Sequence, residues 1–97
     1  MMIHKTQADS TITLALSGRL DSLTQSELAQ ALETVFETGF TSLVFDLSAL
    51  DYISSAGLRV FFTAKKKTMS MGAAMKVIGA NQSVREIFQI IGFALDD

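Results

Sequence analysis

Apolar and polar positions alternate from Thr11 to Ser17, with Ile12, Leu14 and Leu16 set against Thr11, Thr13 and Ser17. That period of two predicts a strand with one face turned to a core. A weaker strand, Ile3 to Ala8, precedes it across the turn Asp9-Ser10, so the simplest reading is a hairpin. Gly18-Arg19-Leu20-Asp21 then leaves the strand and the period changes. Leu28, Ala31, Leu32, Val35 and Phe36 recur at helical spacing behind a capping-box pattern of Thr24 and Glu27, with Gly39 at the far end. This predicts a helix of about 15 residues. Leu43-Val44-Phe45 is apolar without alternation, as expected for a central strand covered on both faces.

A second helix follows from Leu58, Phe61 and Phe62, and Lys65, Lys66 and Lys67 mark its wetter far end, read as a solvated surface rather than a binding patch. Gly72 separates it from a short strand, Met75-Lys76-Val77-Ile78. Asn81 or Ser83 can cap a last helix that turns Val84, Ile87, Phe88 and Ile91 inward and stops at Gly92. The order β-β-α-β-α-β-α implies an α/β fold, a mixed and largely parallel sheet with an N-terminal antiparallel hairpin and helices packed against it. No repeat or linker interrupts the chain, so residues 1–97 are expected to form a single domain.

The chemistry concentrates at the passage from the central strand into the second helix, Ile53-Ser54-Ser55-Ala56-Gly57-Leu58. The first N–H groups of a helix lack partners within it. A hydroxyl placed there can cap the helix or carry a phosphate, which would sit near the positive end of the helix dipole. Arg59 lies four residues after Ser55, on the same helical face and within reach of such a phosphate, or is simply an exposed arginine. Asp21, near the end of its strand, can approach the serine turn or shape the turn before Ser22. Gly57 lets a partner's backbone come close, or is a small residue where helix meets sheet.

Composition removes several classes of function. There is no cysteine, and His4 is the sole histidine, so thiolate chemistry and cysteine-based metal sites are excluded. Asp46 and Asp51 are read as structural, because no histidine or third carboxylate is placed to complete a metal or catalytic site. The serine turn lacks the first glycine of a nucleophile elbow, and no Walker-type glycine loop occurs. Neither an enzymatic activity nor a cofactor is therefore expected. A net charge of -2 with eight scattered basic residues gives no footprint for nucleic acid. No apolar run reaches membrane-spanning length, and MMIHKTQADS is too polar for a signal peptide, so the expectation is a cytoplasmic protein without direct membrane insertion.

Taken in order, Ser17-Gly18-Arg19-Leu20-Asp21, Val44-Phe45-Asp46-Leu47-Ser48 and Ile53-Ser54-Ser55-Ala56-Gly57-Leu58 resemble the signature of the STAS family. The resemblance continues through Gly79-Ala80-Asn81 and Val84-Arg85-Glu86 to Gly92-Phe93. Its best-known soluble members are bacterial anti-sigma factor antagonists. The resemblance implies a partner switch that binds an anti-sigma factor serine kinase, frees the sigma factor, and is released when that kinase phosphorylates one serine. A serine phosphatase would reset it. Aligned on Gly57-Leu58, the phosphorylated serine falls on Ser55, with Ser54 as the alternative, since many antagonists carry an aspartate where this chain has Ser54. The implied partner surface comprises Asp21, Ser54, Ser55, Ala56, Gly57, Leu58 and Arg59. A different STAS role is a constitutive accessory subunit clasping the ATPase of a bacterial lipid ABC transporter. Longer family members continue past the position of Asp97 with another strand and a final helix, so some sheet surface is expected to be uncovered here or covered by a partner.

Overall fold

The structure, a computed structural model, describes residues 1–96; Asp97 lies outside the described residues. The elements run β1 (Met2–Ala8), β2 (Thr11–Leu20), α1 (Gln25–Thr38), β3 (Ser42–Ile53), α2 (Ser55–Ser70), β4 (Ala74–Ile78) and α3 (Gln82–Ile90). The sheet has the order β1-β2-β3-β4. The β1–β2 pair is antiparallel, and β3 lies parallel to both β2 and β4. The mixed α/β arrangement expected from the sequence is thus the one observed.

Two strands run further than their sequence suggests. β2 continues through Gly18 and Arg19 to Leu20, and β3 continues past Asp46 to Ile53, because the parallel pairing between them persists as far as Leu20 opposite Ile53. The register shifts twice on the way, between Ala15 and Ser17 and between Gly18 and Arg19. Each shift places an extra residue on β3 and tightens the local twist. Gly18 belongs to this irregularity, with φ of 89°, a conformation that glycine adopts without steric cost.

The core lies on one side of the sheet. Ile12, Leu14 and Leu16 of β2, Leu43, Phe45 and Leu47 of β3, and Met75 and Val77 of β4 are buried in one cluster with Leu28, Leu32 and Val35 of α1, Phe61 of α2, and Val84 and Phe88 of α3. Val44 is only half-buried on the opposite face, in the row Thr13, Val44, Lys76. The two-sided covering expected for the central strand is therefore corrected to one. Right-handed crossovers between the parallel neighbours β2, β3 and β4 place α1 and α2 on the same face, and α3 joins them there through Val84 and Phe88.

The helix starts also differ in detail. Thr24 precedes α1 with helical backbone angles and makes no side-chain cap, so the Thr24/Glu27 capping box does not form. Its hydroxyl instead donates to the carbonyl of Arg19 (2.8 Å) and accepts the N–H of Asp21 (3.0 Å). At α3 the cap is Asn81, which accepts the N–H of Val84 (2.9 Å) and donates to the carbonyl of Leu50 (3.1 Å), tying the helix to β3. Ile87 packs partly against the core, whereas Ile91 falls beyond the last turn and is exposed rather than inward. The segment after Gly92 returns to the sheet, where the N–H of Val77 donates to the Asp96 carboxylate (2.7 Å) and the N–H of Asp96 donates to the carbonyl of Val77 (3.0 Å).

Candidate functional site

The serine turn sits where β3 ends beside the end of β2. The Ser54 N–H donates to the carbonyl of Leu20 (2.9 Å), extending the strand pairing into the turn. Ser54 itself is the cap of α2: its backbone is extended and its hydroxyl oxygen accepts the N–H of Gly57 at 3.3 Å. Its carbonyl takes the N–H of Leu58 (2.9 Å), closing the first helical turn. Ser54 is half-buried, while Ser55, the first residue of the helix, is exposed. Among the described residues the Ser55 hydroxyl makes no hydrogen bond. The first turn of α2 carries no acidic side chain to offset its dipole, so added negative charge is electrostatically favoured there.

The two hydroxyls should therefore separate in a stability measurement. Ser54→Ala is expected to cost about 1 kcal/mol through loss of the cap, and Ser55→Ala to change stability by less than ~0.5 kcal/mol. Urea unfolding of the two variants checks this, and an equal loss in both would contradict the assignment of the cap to Ser54.

Gly57 and Leu58 face inward. A Cβ added at Gly57 would stand 2.7 Å from Cγ of Leu20 and 3.1 Å from Cγ1 of Ile53, so the absence of a side chain is what lets α2 lie on the two strand ends. Of the two readings of Gly57, the close meeting of helix and sheet is the one the geometry displays. Leu58 is 6% exposed and belongs to the core. Ala56 is half-buried and Arg59 exposed. Both line a groove of about 430 Å³ between α1 and α2, whose floor includes Leu32 and Ala64. At the other end of that groove the Lys67 amine stands 5.0 Å from the centre of the Phe36 ring, so this lysine packs as well as being solvated.

Asp21 is at the same end of the domain, but its carboxylate is engaged in its own turn. Oδ1 accepts the N–H groups of Leu23 (2.9 Å) and Thr24 (3.1 Å), with the Thr24 hydroxyl oxygen 3.3 Å away. These bonds, that from Leu23 foremost, hold its carboxyl below the ordinary aspartate range despite partial desolvation, and Arg19, 3.8 Å from Oδ2, adds to the effect. The carboxylate is thus charged at neutral pH. Arg19 also stacks over Tyr52, its guanidinium carbon 4.2 Å from the ring centre.

Arg19, Leu23 and Tyr52 had no place in the sequence-based site. Arg19 and Tyr52 are neighbours only because both strands run past their apparent ends and carry register shifts. Two other sequence candidates lie elsewhere. Asp46 accepts the N–H (3.0 Å) and hydroxyl (2.7 Å) of Ser48, stabilising the irregular part of β3. Asp51 is exposed, as is His4 on the edge strand β1. Among the described residues no cluster of three or more His, Asp or Glu side chains is arranged to hold a metal ion, and no helix is long and apolar enough to cross a membrane.

The pattern of the STAS domain matches residues 2–96. The chain belongs to the STAS domain family. Its sequence is 32% identical over 93 residues to BtrV of Bordetella bronchiseptica, provisionally named an anti-sigma factor antagonist, with 96% of this chain and 80% of BtrV covered. Among solved structures, this STAS domain is similar to an anti-sigma factor antagonist from Mycobacterium paratuberculosis, with a TM-score of 0.87, 24% identity, and 94% and 77% of the two chains covered. It is similar also to the anti-sigma factor antagonist SpoIIAA in its unphosphorylated form, with a TM-score of 0.85, 17% identity, and coverage of 95% and 82%. At these identities the solved structures speak to the fold, a mixed four-stranded sheet with three helices in this chain.

Proposed function

We propose that this STAS domain is an anti-sigma factor antagonist, a cytoplasmic binding protein rather than an enzyme, whose grip on an anti-sigma factor serine kinase is switched by phosphorylation of Ser55. The observation that carries the reading is the division of labour at the α2 start: Ser54 caps the helix, and Ser55 presents an exposed hydroxyl without a hydrogen bond. The naming of BtrV supports the choice of partner class. In the proposed step the Ser55 oxygen takes the γ-phosphoryl group of ATP held by the kinase, the hydroxyl proton is lost and ADP leaves. A phosphatase restores the serine by adding water and releasing inorganic phosphate.

The consequence is local. A phosphoserine adds close to two negative charges at a surface that must shed water on docking, and lowers affinity without unfolding the domain. A loss of roughly 100-fold in affinity is in keeping with like-charge juxtaposition at an interface. The positive end of the α2 dipole favours the phosphate, and Arg59, four residues on, shares the helical face of Ser55.

The test is intact-mass spectrometry of the protein from its own cells, with fragmentation to localise the phosphate, repeated for Ser55→Ala. A single phosphate on Ser55 that disappears in the variant is expected. A chain unmodified under every growth condition would overturn the switch in favour of a constitutive complex, such as one with a transporter ATPase.

A further inference from the structure

The groove between α1 and α2 pairs an apolar floor with an uneven distribution of charge along its length. Both helices connect parallel strands of one sheet, so they run in the same direction, and the approach of Lys67 to the Phe36 ring sets their register. One turn back from that contact, Glu33 is level with Thr63; a further turn back, Ala29 is level with Arg59, and then Gln25 with Ala56. Ala29, Leu32, Val60 and Ala64 make a floor with no polar side-chain atom. The Thr63 hydroxyl at the rim is already engaged, donating to the Arg59 carbonyl (3.0 Å). In the half of the groove near Phe36 a cation and a carboxylate, Lys67 and Glu33, stand one turn apart. The other half differs: Arg59 faces Ala29, and no carboxylate lines the groove there. Among the described residues neither the Arg59 guanidinium nor the Gln25 side-chain amide makes a hydrogen bond or ion pair within the domain.

We infer that this groove is a binding site for a free, straight-chain aliphatic carboxylate of the medium-chain fatty acid class, with its head at Arg59 and Gln25 and its chain laid along the floor towards Phe36. The inference goes beyond the Ser55 reading and does not depend on it. A guanidinium receives a carboxylate through two parallel charge-assisted hydrogen bonds, and Arg59 has its donors free for them. The volume of about 430 Å³ falls within the range of small-molecule sites. From Arg59 to Lys67 the helix advances about 12 Å, about the length of an extended ten-carbon chain. An unbranched hydrocarbon suits a floor without polar atoms, whereas a sugar, nucleotide or peptide laid there would leave its own polar groups unsatisfied. The charges also fix the orientation. A head placed at Lys67 would stand beside the Glu33 carboxylate, and one placed at Arg59 faces a methyl group.

The test is a titration of the unphosphorylated protein with decanoate, followed by amide NMR shifts, beside titrations with decanol, which keeps the chain without the charge, and butyrate, which keeps the charge without the chain. Saturable shifts confined to the facing sides of α1 and α2 are expected for decanoate, with affinity at least tenfold weaker for decanol and for butyrate. Two variants repeat the decanoate titration. Arg59→Gln is expected to bind at least tenfold more weakly, since a charge-assisted pair is lost. Ala29→Glu, which sets a carboxylate opposite Arg59 within a helix that accepts glutamate readily, is expected to do the same. Equal affinities for decanoate and decanol in the wild type would overturn the site, and that comparison needs no variant to fold. Undiminished binding in both variants, or shifts lying off the α1–α2 face, would overturn it too. A wild type unmoved by decanoate up to about 1 mM would overturn it and leave the groove to a protein partner, or to a bilayer surface if vesicles of phosphatidylglycerol alone shift these amides.

Discussion

Phe61→Ala is expected to lower the unfolding free energy by about 3–5 kcal/mol, the range found when a large aromatic side chain is removed from a close-packed interior. Phe61 is fully buried and packs against three other rings. Its ring centre is 4.8 Å from that of Phe45 on β3, 5.4 Å from that of Phe88 on α3, and 6.4 Å from that of Phe93 in the final segment. The loss therefore falls on contacts between four segments at once. Phe88 and Phe93 also pack edge to face at 5.3 Å, so they retain each other and cannot simply collapse into the space vacated. A domain of this size has only about 5–15 kcal/mol in hand, and the melting temperature should fall by roughly 15 °C or more. Thermal unfolding followed by circular dichroism measures this. A fall of only a few degrees would mean that the cluster is loosely packed.

Gly57→Val is expected to destabilise the domain by about 3 kcal/mol, the upper part of the range for overpacking a core. Replacing a helical glycine normally gains about 0.5–1 kcal/mol from the lower entropy of the unfolded chain. Here the steric term exceeds that gain, because the new Cβ would be 2.7 Å from the middle of the Leu20 side chain, which is itself fully buried and has nowhere to turn. The strain also falls on the site. The start of α2 must lift from β2, breaking the link from the Ser54 N–H to the Leu20 carbonyl and shifting both serines. Amide NMR shifts at Ser54 and Ser55, recorded beside a urea titration, separate the local displacement from global loss. Wild-type stability with unshifted serine amides would show that the contact of Gly57 with Leu20 is unimportant.

Most of the fold was legible because its elements are locally consistent. Ile12, Leu14 and Leu16 alternate cleanly, and Leu28, Leu32 and Val35 keep helical spacing. Legibility failed where pairing, rather than period, decides the structure. In the second half of β3 the buried residues are Leu47, Leu50 and Ile53, a spacing of three that suits neither an ordinary strand nor a long helix. It becomes intelligible only with the two register shifts against β2, which depend on a partner strand distant in sequence. Val44 misled for a related reason: a valine on the outer face of a one-sided sheet reads like part of a buried run. The serine turn was found from its sequence, since the change from strand to helix period brackets it. That Ser54 caps α2 while Ser55 stays exposed is not legible there, because adjacent hydroxyls differ only in the direction the backbone gives them. Thr24 and Glu27 suggested a capping box, yet Asp21 and Arg19 compete successfully for the Thr24 hydroxyl.

The return of the chain to β4 at Asp96 bears on a hazard that every small open sheet faces, the growth of fibrils by edge-to-edge addition. A bare strand edge is a template for another molecule's strand. At β4 both outward main-chain groups of Val77 are already occupied, one by a carboxylate that has no onward hydrogen-bonding ladder to offer. An incoming strand must first displace a charged group and then pair beside it. At the opposite border, β1 carries His4, Lys5, Thr6 and Gln7, a polar run whose lysine makes stacking of like edges unfavourable. Both borders of the sheet thus discourage the addition of a second copy strand to strand.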